Sequence, residues 1–327
     1  MIKREEILDP EYLPSEIFHR EKEIERIKGA IGPIFKGKKG ENLFIYGEPG
    51  VGKTTTIKFV LSKLGDVKGI YINCWNYRTP HSFLGEIARQ FGIPIPKKGR
   101  GLDEITDLIK KRKTGVIVFD EADKAERIDD IYPLLSENFV FIFITNNREW
   151  IMKLEPRVSS RLFLGYVEFM PYNFEQMLSI IKKRIKLAFS PGSISEDVAT
   201  EVARRAFLKR DVRVGLFLLR KIGKICEENG LKRAEMDIFE RIGEEFKLKP
   251  VLNKNEKEII EILKNMEGKT TGEIYGKYTE KGGKLTQRAF RMYLAKMAEK
   301  GILIIKDTGK GFRGRSRRIF LSGKYGV

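Results

Sequence analysis

The chain has 327 residues, two cysteines, two histidines and a formal net charge of +18 at pH 7. Its length exceeds one ordinary hydrophobic core and predicts two or three domains. The scarcity of cysteine and histidine argues against a disulfide framework or a zinc cluster, and no apolar run approaches the ~20 residues of a membrane-spanning helix, so we expect a cytoplasmic protein.

The first predicted strand and helix enclose a phosphate-binding loop. An apolar strand at residues 42–46 leads into Gly-Glu-Pro-Gly-Val-Gly-Lys-Thr at 47–54, and a helix is predicted at 55–64. The glycines let backbone N–H groups turn toward phosphate oxygens, Lys53 supplies a charge for the β- and γ-phosphates, and the Thr54 hydroxyl suits Mg²⁺. Because this motif requires such a strand and helix around it, the sequence predicts binding of a nucleoside triphosphate with Mg²⁺.

Three further apolar runs predict strands at 69–73, 115–121 and 139–147. Such runs, alternating with helical segments, indicate a parallel sheet covered on both faces, with ligands at the carboxyl ends of its strands. Asp120 is a candidate Mg²⁺ ligand there, and Glu121 is a candidate base for the attacking water. Asn146 or its neighbour Asn147 could complete the hydrogen bonding of that water. No Asn-Lys-x-Asp sequence for reading guanine is present, which favours adenine.

Arginines follow at positions suited to transition-state charge. Arg157 and Arg161 lie close together after the last of these strands, and an arginine supplied across an interface accelerates phosphoryl transfer. Surface ion pairing is the alternative for either residue. Arg213 opens an amphipathic helix and could reach the nucleotide from a helical lid. The predicted apolar face of that helix consists of Val214, Phe217, Leu218 and Ile222.

The C-terminal region is the most basic part of the chain. Residues 251–327 contain 18 Lys and Arg residues against eight Asp and Glu residues, a net charge of +10. Helices are predicted at about 253–266, 270–278 and 286–300, followed by a strand at 301–306, a glycine-rich basic turn at 308–318 and a returning strand at 318–321. Three helices and a β-hairpin are the elements of a winged helix, which predicts binding to duplex DNA.

Two sets of residues in this region are candidate DNA contacts. The early turns of the third helix are suited to base edges in the major groove: Thr286, Gln287, Arg288 and Arg291. The basic segment after it is suited to phosphates or a minor groove: Lys310, Arg313, Arg315, Arg317 and Arg318. The alternative is a winged helix used for protein contacts.

Taken in order, these motifs resemble the AAA+ ATPases, and more narrowly the archaeal replication initiators related to origin recognition complex subunit 1 and cell division control protein 6. The resemblance also includes the Pro, His-Arg and Glu pattern of residues 8–21, the Tyr-Ile-Asn-Cys and Arg-Thr-Pro segments at 71–80, and Pro-Tyr-Asn at 171–173. One departure concerns Arg210, because members of the family often have glycine at this position before the second sensor arginine.

The resemblance implies roles for particular residues. It places Arg213 as the second sensor and Arg161, ahead of Arg157, as the arginine finger that acts on a neighbouring subunit. Residues assigned to the nucleotide are Tyr12, Leu13, Phe18, His19, Arg20, Glu48, Pro49, Gly50, Val51, Gly52, Lys53, Thr54, Thr55, Tyr172 and Arg213. A helical segment after the second strand reaches DNA in this family, which makes Arg78, Thr79 and His81 candidate DNA contacts. The stripe Phe83, Ile87 and Phe91 in that segment is predicted to be core.

We therefore predict an α/β chain with an AAA+ P-loop parallel sheet (1–170), a helical lid (171–250) and a C-terminal winged helix (251–327). The expected function is a nucleoid-associated replication initiator that binds origin DNA and uses ATP or ADP as a conformational switch with slow hydrolysis. The expected partners are paralogous initiator subunits and the MCM replicative helicase. The alternative function is an ATP-switched transcription regulator without significant hydrolysis.

Overall fold

A computed structural model describes residues 1–94, 101–112, 114–243, 254–299, 302–311 and 314–321. The chain divides into two compact units, Met1–Phe239 and Glu240–Val327. In the residues described, no helix is both long and apolar enough to cross a membrane. The first unit contains the phosphate-binding loop, and the second contains the basic C-terminal elements.

The first unit is built on a five-stranded sheet in the order β2-β3-β4-β1-β5, in which all neighbouring strands are parallel. The strands are β1 Leu43–Gly47, β2 Gly69–Asn73, β3 Thr114–Asp120, β4 Asn138–Thr145 and β5 Gly165–Phe169. The parallel α/β sheet predicted from the apolar runs is confirmed. The edge strand β5 was not predicted, although its buried residues alternate with more exposed ones as those of a half-exposed strand do.

Helices cover both faces of this sheet. The α-helices are α1 Glu21–Ile31, α2 Lys53–Leu61, α3 Pro80–Gln90, α4 Leu102–Lys110 and α5 Pro156–Leu162. Short 3-10 helices span Glu5–Leu8, Gly32–Lys36, Ala122–Lys124, Ile128–Ser136 and Arg148–Lys153.

Along β3, Ile117 and Phe119 join one core cluster while Val116 and Val118 join the other. Both faces of the strand are buried, which explains its continuous apolar run. Phe83 and Ile87 of α3, and Phe91 directly after it, belong to the core, as predicted.

Four helices follow the sheet: α6 Phe174–Ala188, α7 Glu196–Leu208, α8 Val212–Glu228 and α9 Met236–Gly243. The predicted apolar face of α8 is wrong in part, because Phe217 is 51% exposed while Leu216 and Leu219 are buried. The buried face includes two glycines that allow close approach: a Cβ at Gly215 would lie 2.4 Å from Ile181, and one at Gly223 would lie 2.6 Å from Ile2. Glycine contributes nothing to an apolar pattern, so the pattern assigned this face incorrectly.

The second unit consists of α10 Lys254–Leu263, α11 Thr271–Glu280, α12 Gln287–Glu299 and the antiparallel pair β6 Leu303–Gly311 and β7 Gly314–Leu321. Three helices and a hairpin occur in the predicted order. The predicted turn at 308–318 is wrong, because the paired strands continue to Gly311 and resume at Gly314. Alternation of arginine with glycine and serine in this segment was interpreted as turn composition, whereas it has the period of a strand.

Arg210 provides a test of backbone strain at the family's glycine position. Its φ is 54°, a left-handed conformation that costs an L-residue about 1–2 kcal/mol, and its guanidinium pairs with Glu48 at 2.7 Å. Arg210→Gly and Arg210→Ala both lose this pair, but only glycine relieves the strain. We expect the glycine variant to be about 1 kcal/mol more stable than the alanine variant, measured by urea unfolding followed through tryptophan fluorescence.

Lys209 is the matched control for this comparison. It precedes Arg210 but has a right-handed conformation, with φ of −88°. At such a position glycine gains nothing over alanine, so Lys209→Gly should be no more stable than Lys209→Ala. Both tryptophans, Trp75 and Trp150, lie in the first unit, so their fluorescence reports the unfolding of that unit. The same order of stability at both positions would contradict the assignment of strain to Arg210.

Candidate nucleotide site

A cavity of about 860 Å³ lies at the carboxyl edge of the sheet. Its wall combines the phosphate-binding loop, the N-terminal segment 10–18, the strand ends and the lid helices α6 and α8. Of the residues predicted to bind nucleotide, the wall includes Leu13, Phe18, Pro49, Gly50, Gly52, Lys53, Thr54, Thr55, Tyr172 and Arg213. It does not include Tyr12, His19, Arg20, Glu48 or Val51.

Two glycines of the phosphate-binding loop have conformations and neighbours that exclude a side chain. Gly50 and Gly52 have φ of 75° and 90°. A Cβ on Gly50 would lie 2.2 Å from the Asp211 carboxyl carbon, and one on Gly52 would lie 2.9 Å from the Tyr172 hydroxyl. The lid therefore packs directly on the loop. A change in the conformation of the loop at Gly50 would displace Asp211, at the start of α8.

Lys53 is buried beneath the loop and makes three hydrogen bonds. Its Nζ donates to the carbonyl oxygens of Gly47 at 2.8 Å and Glu48 at 2.9 Å, and to Asn146 Oδ1 at 2.7 Å. Burial lowers the pKa of Lys53 to about 8, although the carboxylates of Glu121 and Asp120 act in the opposite direction. The ammonium is thus held at the cavity wall by neutral acceptors, where a phosphate would be a stronger partner.

The two predicted Mg²⁺ ligands are adjacent. Thr54 Oγ1 donates to Asp120 Oδ2 at 2.7 Å, and the Tyr71 hydroxyl donates to the same oxygen at 2.6 Å. The pKa of Tyr71 is raised, first by burial and then by the Asp120 charge, so the phenol stays protonated as a donor. A hydroxyl and a carboxylate at the phosphate loop are the oxygen donors that Mg²⁺ takes in nucleotide sites, so these residues fit the metal.

Glu121 follows Asp120 and has a strained backbone, with φ of 52°. The pKa of Glu121 is raised, first by burial and then by the charges of Asp120 and Asp123. Asn146 Nδ2 donates to both carboxyl oxygens of Glu121, each at 3.3 Å. Asn146 therefore connects Lys53 to Glu121, whereas Asn147 Oδ1 accepts from the Glu149 backbone N–H and caps the following 3-10 helix. This contrast favours Asn146 over Asn147 as the residue that completes the hydrogen bonding of the attacking water.

Arg213 stands on the cavity wall at the start of α8. Its guanidinium forms a two-point contact with Asp211, with Nε–Oδ1 at 3.0 Å and Nη2–Oδ2 at 2.8 Å, and this contact raises the pKa of Arg213. The Asp211 side chain also accepts from the Arg213 backbone N–H and caps the helix. The predicted second sensor is thus oriented by the residue that contacts Gly50.

Arg20 lies behind the phosphate loop. Its guanidinium donates to the Val51 carbonyl oxygen at 2.9 Å, the Met170 carbonyl oxygen at 2.7 Å and the Tyr172 hydroxyl at 3.2 Å, and it pairs with Glu23 at 2.8 Å. With all these contacts and a residue exposure of 4%, Arg20 positions the loop and does not face the cavity. We expect its role to be indirect.

The sequence analysis missed several residues on the wall, including Trp75, Asp123, Lys124, Lys183 and Arg184. Trp75 is 56% exposed, and the cations of Arg78 and Lys124 lie 5.9 and 5.2 Å from the centre of its ring. An aromatic residue two positions after the end of β2 was an available signal. The lysine and arginine of α6 had none, because basic residues on a helix normally face solvent.

Arg157 and Arg161 are exposed on α5 and do not belong to the cavity wall. Both guanidinium groups lie over the Tyr132 ring, at 5.3 and 4.8 Å from its centre, and Arg157 also pairs with Glu155 at 2.6 Å. Neither arginine lines the cavity of its own chain. The geometry is compatible with either of them acting on a second subunit.

The candidate DNA contacts lie on exposed surfaces where they are described. Arg78 and Thr79 are exposed before α3, and the Thr79 hydroxyl caps that helix. The first turns of α12 expose Thr286, Gln287, Arg288 and Arg291, and β7 exposes Arg317 and Arg318. Lys310 and Arg315 are paired in the ladder of β6 and β7. Arg313 lies outside the described residues.

The sheet order, the phosphate loop, the acidic strand end and the helical lid together define a P-loop ATPase of the AAA+ class. Residues 37–147 match the AAA domain family, and residues 178–241 match the Cdc6 AAA+ ATPase-type lid domain family. The second match covers most of the lid segment, including the helix that carries Arg213.

Comparison with whole proteins narrows this class. An ORC1-type DNA replication protein of Sulfurisphaera tokodaii is 31% identical over 98% of this chain and 90% of its own length, and one of Pyrococcus abyssi is 32% identical over 98% and 87%. The solved structure of Aeropyrum pernix ORC1 in complex with DNA is 28% identical, with a TM-score of 0.65 over 98% of this chain and 94% of that one. The chain belongs to the family of ORC1-type DNA replication proteins.

Arg20 should be a major source of stability in the first unit. Removing its side chain leaves two backbone carbonyl oxygens and the Glu23 carboxylate without their buried partner. Arg20→Ala should lower the free energy of unfolding by about 3 kcal/mol, the lower end of the cost of breaking a buried pair. Arg26→Ala is the control: it removes a partly exposed arginine of α1, the helix that Arg20 precedes, whose side chain pairs with Glu41. It should cost under about 1 kcal/mol. Equal losses in urea unfolding would contradict the positioning role.

The lowered pKa of Lys53 predicts a pH dependence of nucleotide affinity. Below pH 8 the Lys53 ammonium is already charged in the free protein. Above pH 8 the Lys53 amine is neutral and must take up a proton when phosphate binds. Affinity should therefore fall as pH rises above 8, by up to about tenfold per unit. Titrations with Mg²⁺-ATP at pH 7.5, 8.5 and 9.5 measure this slope. Lys53→Arg stays charged, so a slope as steep in that variant would exclude Lys53 as its source.

Proposed function

We propose that this protein is an origin-binding replication initiator in which nucleotide sets the position of the lid. The observation that carries this proposal is the 28% identity and shared fold with an ORC1 protein solved on DNA, which extends over 98% of the chain and so includes its basic C-terminal unit. The curated relatives are replication proteins along nearly their whole length, which does not favour a transcription regulator.

Nucleotide acts on the lid through contacts that already join the lid to the loop. Asp211 lies against Gly50, Tyr172 lies against Gly52, and Arg210 pairs with Glu48. A γ-phosphate at Lys53 would attract the Arg213 guanidinium and weaken its contact with Asp211. Because Asp211 caps α8, this exchange of partners changes the start of a lid helix. ATP and ADP would therefore favour different lid positions.

Hydrolysis is slow in a single subunit under this proposal. Thr54 and Asp120 would hold Mg²⁺, which offsets the charge of the phosphates when bound. Glu121, whose pKa is raised, would accept the proton of the attacking water, and Asn146 would orient its carboxylate. Arg161 or Arg157 would come from a paralogous subunit, because neither lies on its own cavity wall. The replicative MCM helicase is the partner recruited after DNA binding.

The test is binding of the full chain to candidate origin duplex and to random duplex, across a salt series, with ATP, ADP or no nucleotide. We expect preference for the origin duplex at moderate salt and a difference between ATP and ADP. Lys53→Ala should abolish that difference and retain binding to DNA. Arg318→Ala should reduce the salt slope by about one phosphate contact. Sequence-blind binding that disappears with salt would contradict origin recognition.

A further inference from the structure

The exposed face of α12 has an apolar side chain at its centre. Met292 is 54% exposed, and Arg288 and Lys296, four residues before and after it, are exposed as well. Residues four apart lie one above the other on a helix, so the methionine stands between two cations on one stripe. The opposite face of α12 is core: Phe290, Leu294 and Met297.

The charge of this face identifies the kind of partner that it fits. The sequence contains no acidic residue from 286 to 298, while Arg288, Arg291 and Lys296 supply three cations. Such a face is complementary to a polyanion and unfavourable for a basic or neutral protein surface.

Duplex DNA offers one apolar group to a helix in its major groove, the C5-methyl of thymine. Methionine suits that group because its unbranched, polarisable side chain adapts to the surface that it meets. Ala295 is the neighbouring exposed apolar residue, but its side chain ends at Cβ and reaches less far. Gln287, Arg288 and Arg291 instead carry hydrogen-bond donors suited to purines or phosphates.

We propose that Met292 is a specificity-determining residue that packs on a thymine methyl group in the major groove, with Arg288 and Lys296 holding the helix at the flanking backbone. The inference rests on the proposed function, since it assumes that the C-terminal unit binds duplex DNA. It adds a base identity that neither the fold nor the relatives specify.

The experiment replaces thymine by deoxyuridine, which removes the methyl group and keeps base pairing. The probe is a short duplex that the full wild-type chain selects from a random library, with each thymine replaced in turn. Wild type should lose about fourfold in affinity at one or two positions, equivalent to about 0.8 kcal/mol for one buried methyl group. Met292→Ala should bind thymine and deoxyuridine duplexes equally, and Met292→Leu should restore part of the discrimination.

Two control variants separate this inference from the proposed function. Met152→Ala removes a methionine of the other unit that is 76% exposed, against 54% for Met292, and this variant should retain the thymine preference. Arg291→Ala should weaken DNA binding but should also retain the thymine preference. A thymine preference that persists in Met292→Ala would overturn the role of Met292, as would its absence in wild type while Arg291→Ala still weakens binding. DNA binding unaffected by any α12 variant would instead overturn the use of this helix for DNA, and the inference with it.

Discussion

The nucleotide-binding unit depends on one buried guanidinium group. Arg20 joins the phosphate loop at the Val51 carbonyl, the end of β5 at Met170 and the entrance to the lid at Tyr172. The planar guanidinium has five donors in a fixed geometry, so it can bind these three segments and the Glu23 carboxylate at once, whereas a lysine has only three donors. Loop, strand and lid therefore share one fixed point, and a displacement of any of them is transmitted to the others.

Several side chains on the cavity wall already have hydrogen-bond partners within the protein. Lys53 donates to Asn146, Thr54 donates to Asp120, and Arg213 contacts Asp211. Under the proposed function, nucleotide binding at these positions would be an exchange of partners, since each incoming phosphate or metal would replace a protein contact. Such exchanges give modest net free energies because the original hydrogen bonds are lost. They do, however, couple occupancy of the site to the position of whichever element carries the released partner.

The sequence was sufficient to predict structure where a local pattern of residues is compatible with only one arrangement of the backbone. A glycine-rich loop between an apolar strand and a helix predicted the phosphate site, and continuous apolar runs predicted buried parallel strands. It was insufficient where contacts are made by groups without a pattern. The buried face of α8 is set by Gly215, and Trp75 and Lys183 reach the cavity only through tertiary packing. Arg20 was assigned to the nucleotide from the family resemblance, because its contacts with the carbonyl oxygens of Val51 and Met170, which are distant in sequence, leave no local pattern.

Most of the strained backbone positions lie next to residues of the candidate nucleotide site. Among the described residues, four other than glycine have positive φ: His19, Glu121, Phe163 and Arg210. Three of these four adjoin residues of the site. His19 precedes Arg20, Glu121 follows the Mg²⁺ candidate Asp120, and Arg210 precedes the helix cap Asp211. A left-handed residue costs about 1–2 kcal/mol when it is not glycine, and selection for stability alone would favour glycine. Two of these side chains make contacts at the site that glycine could not make: Glu121 with Asn146, and Arg210 with Glu48.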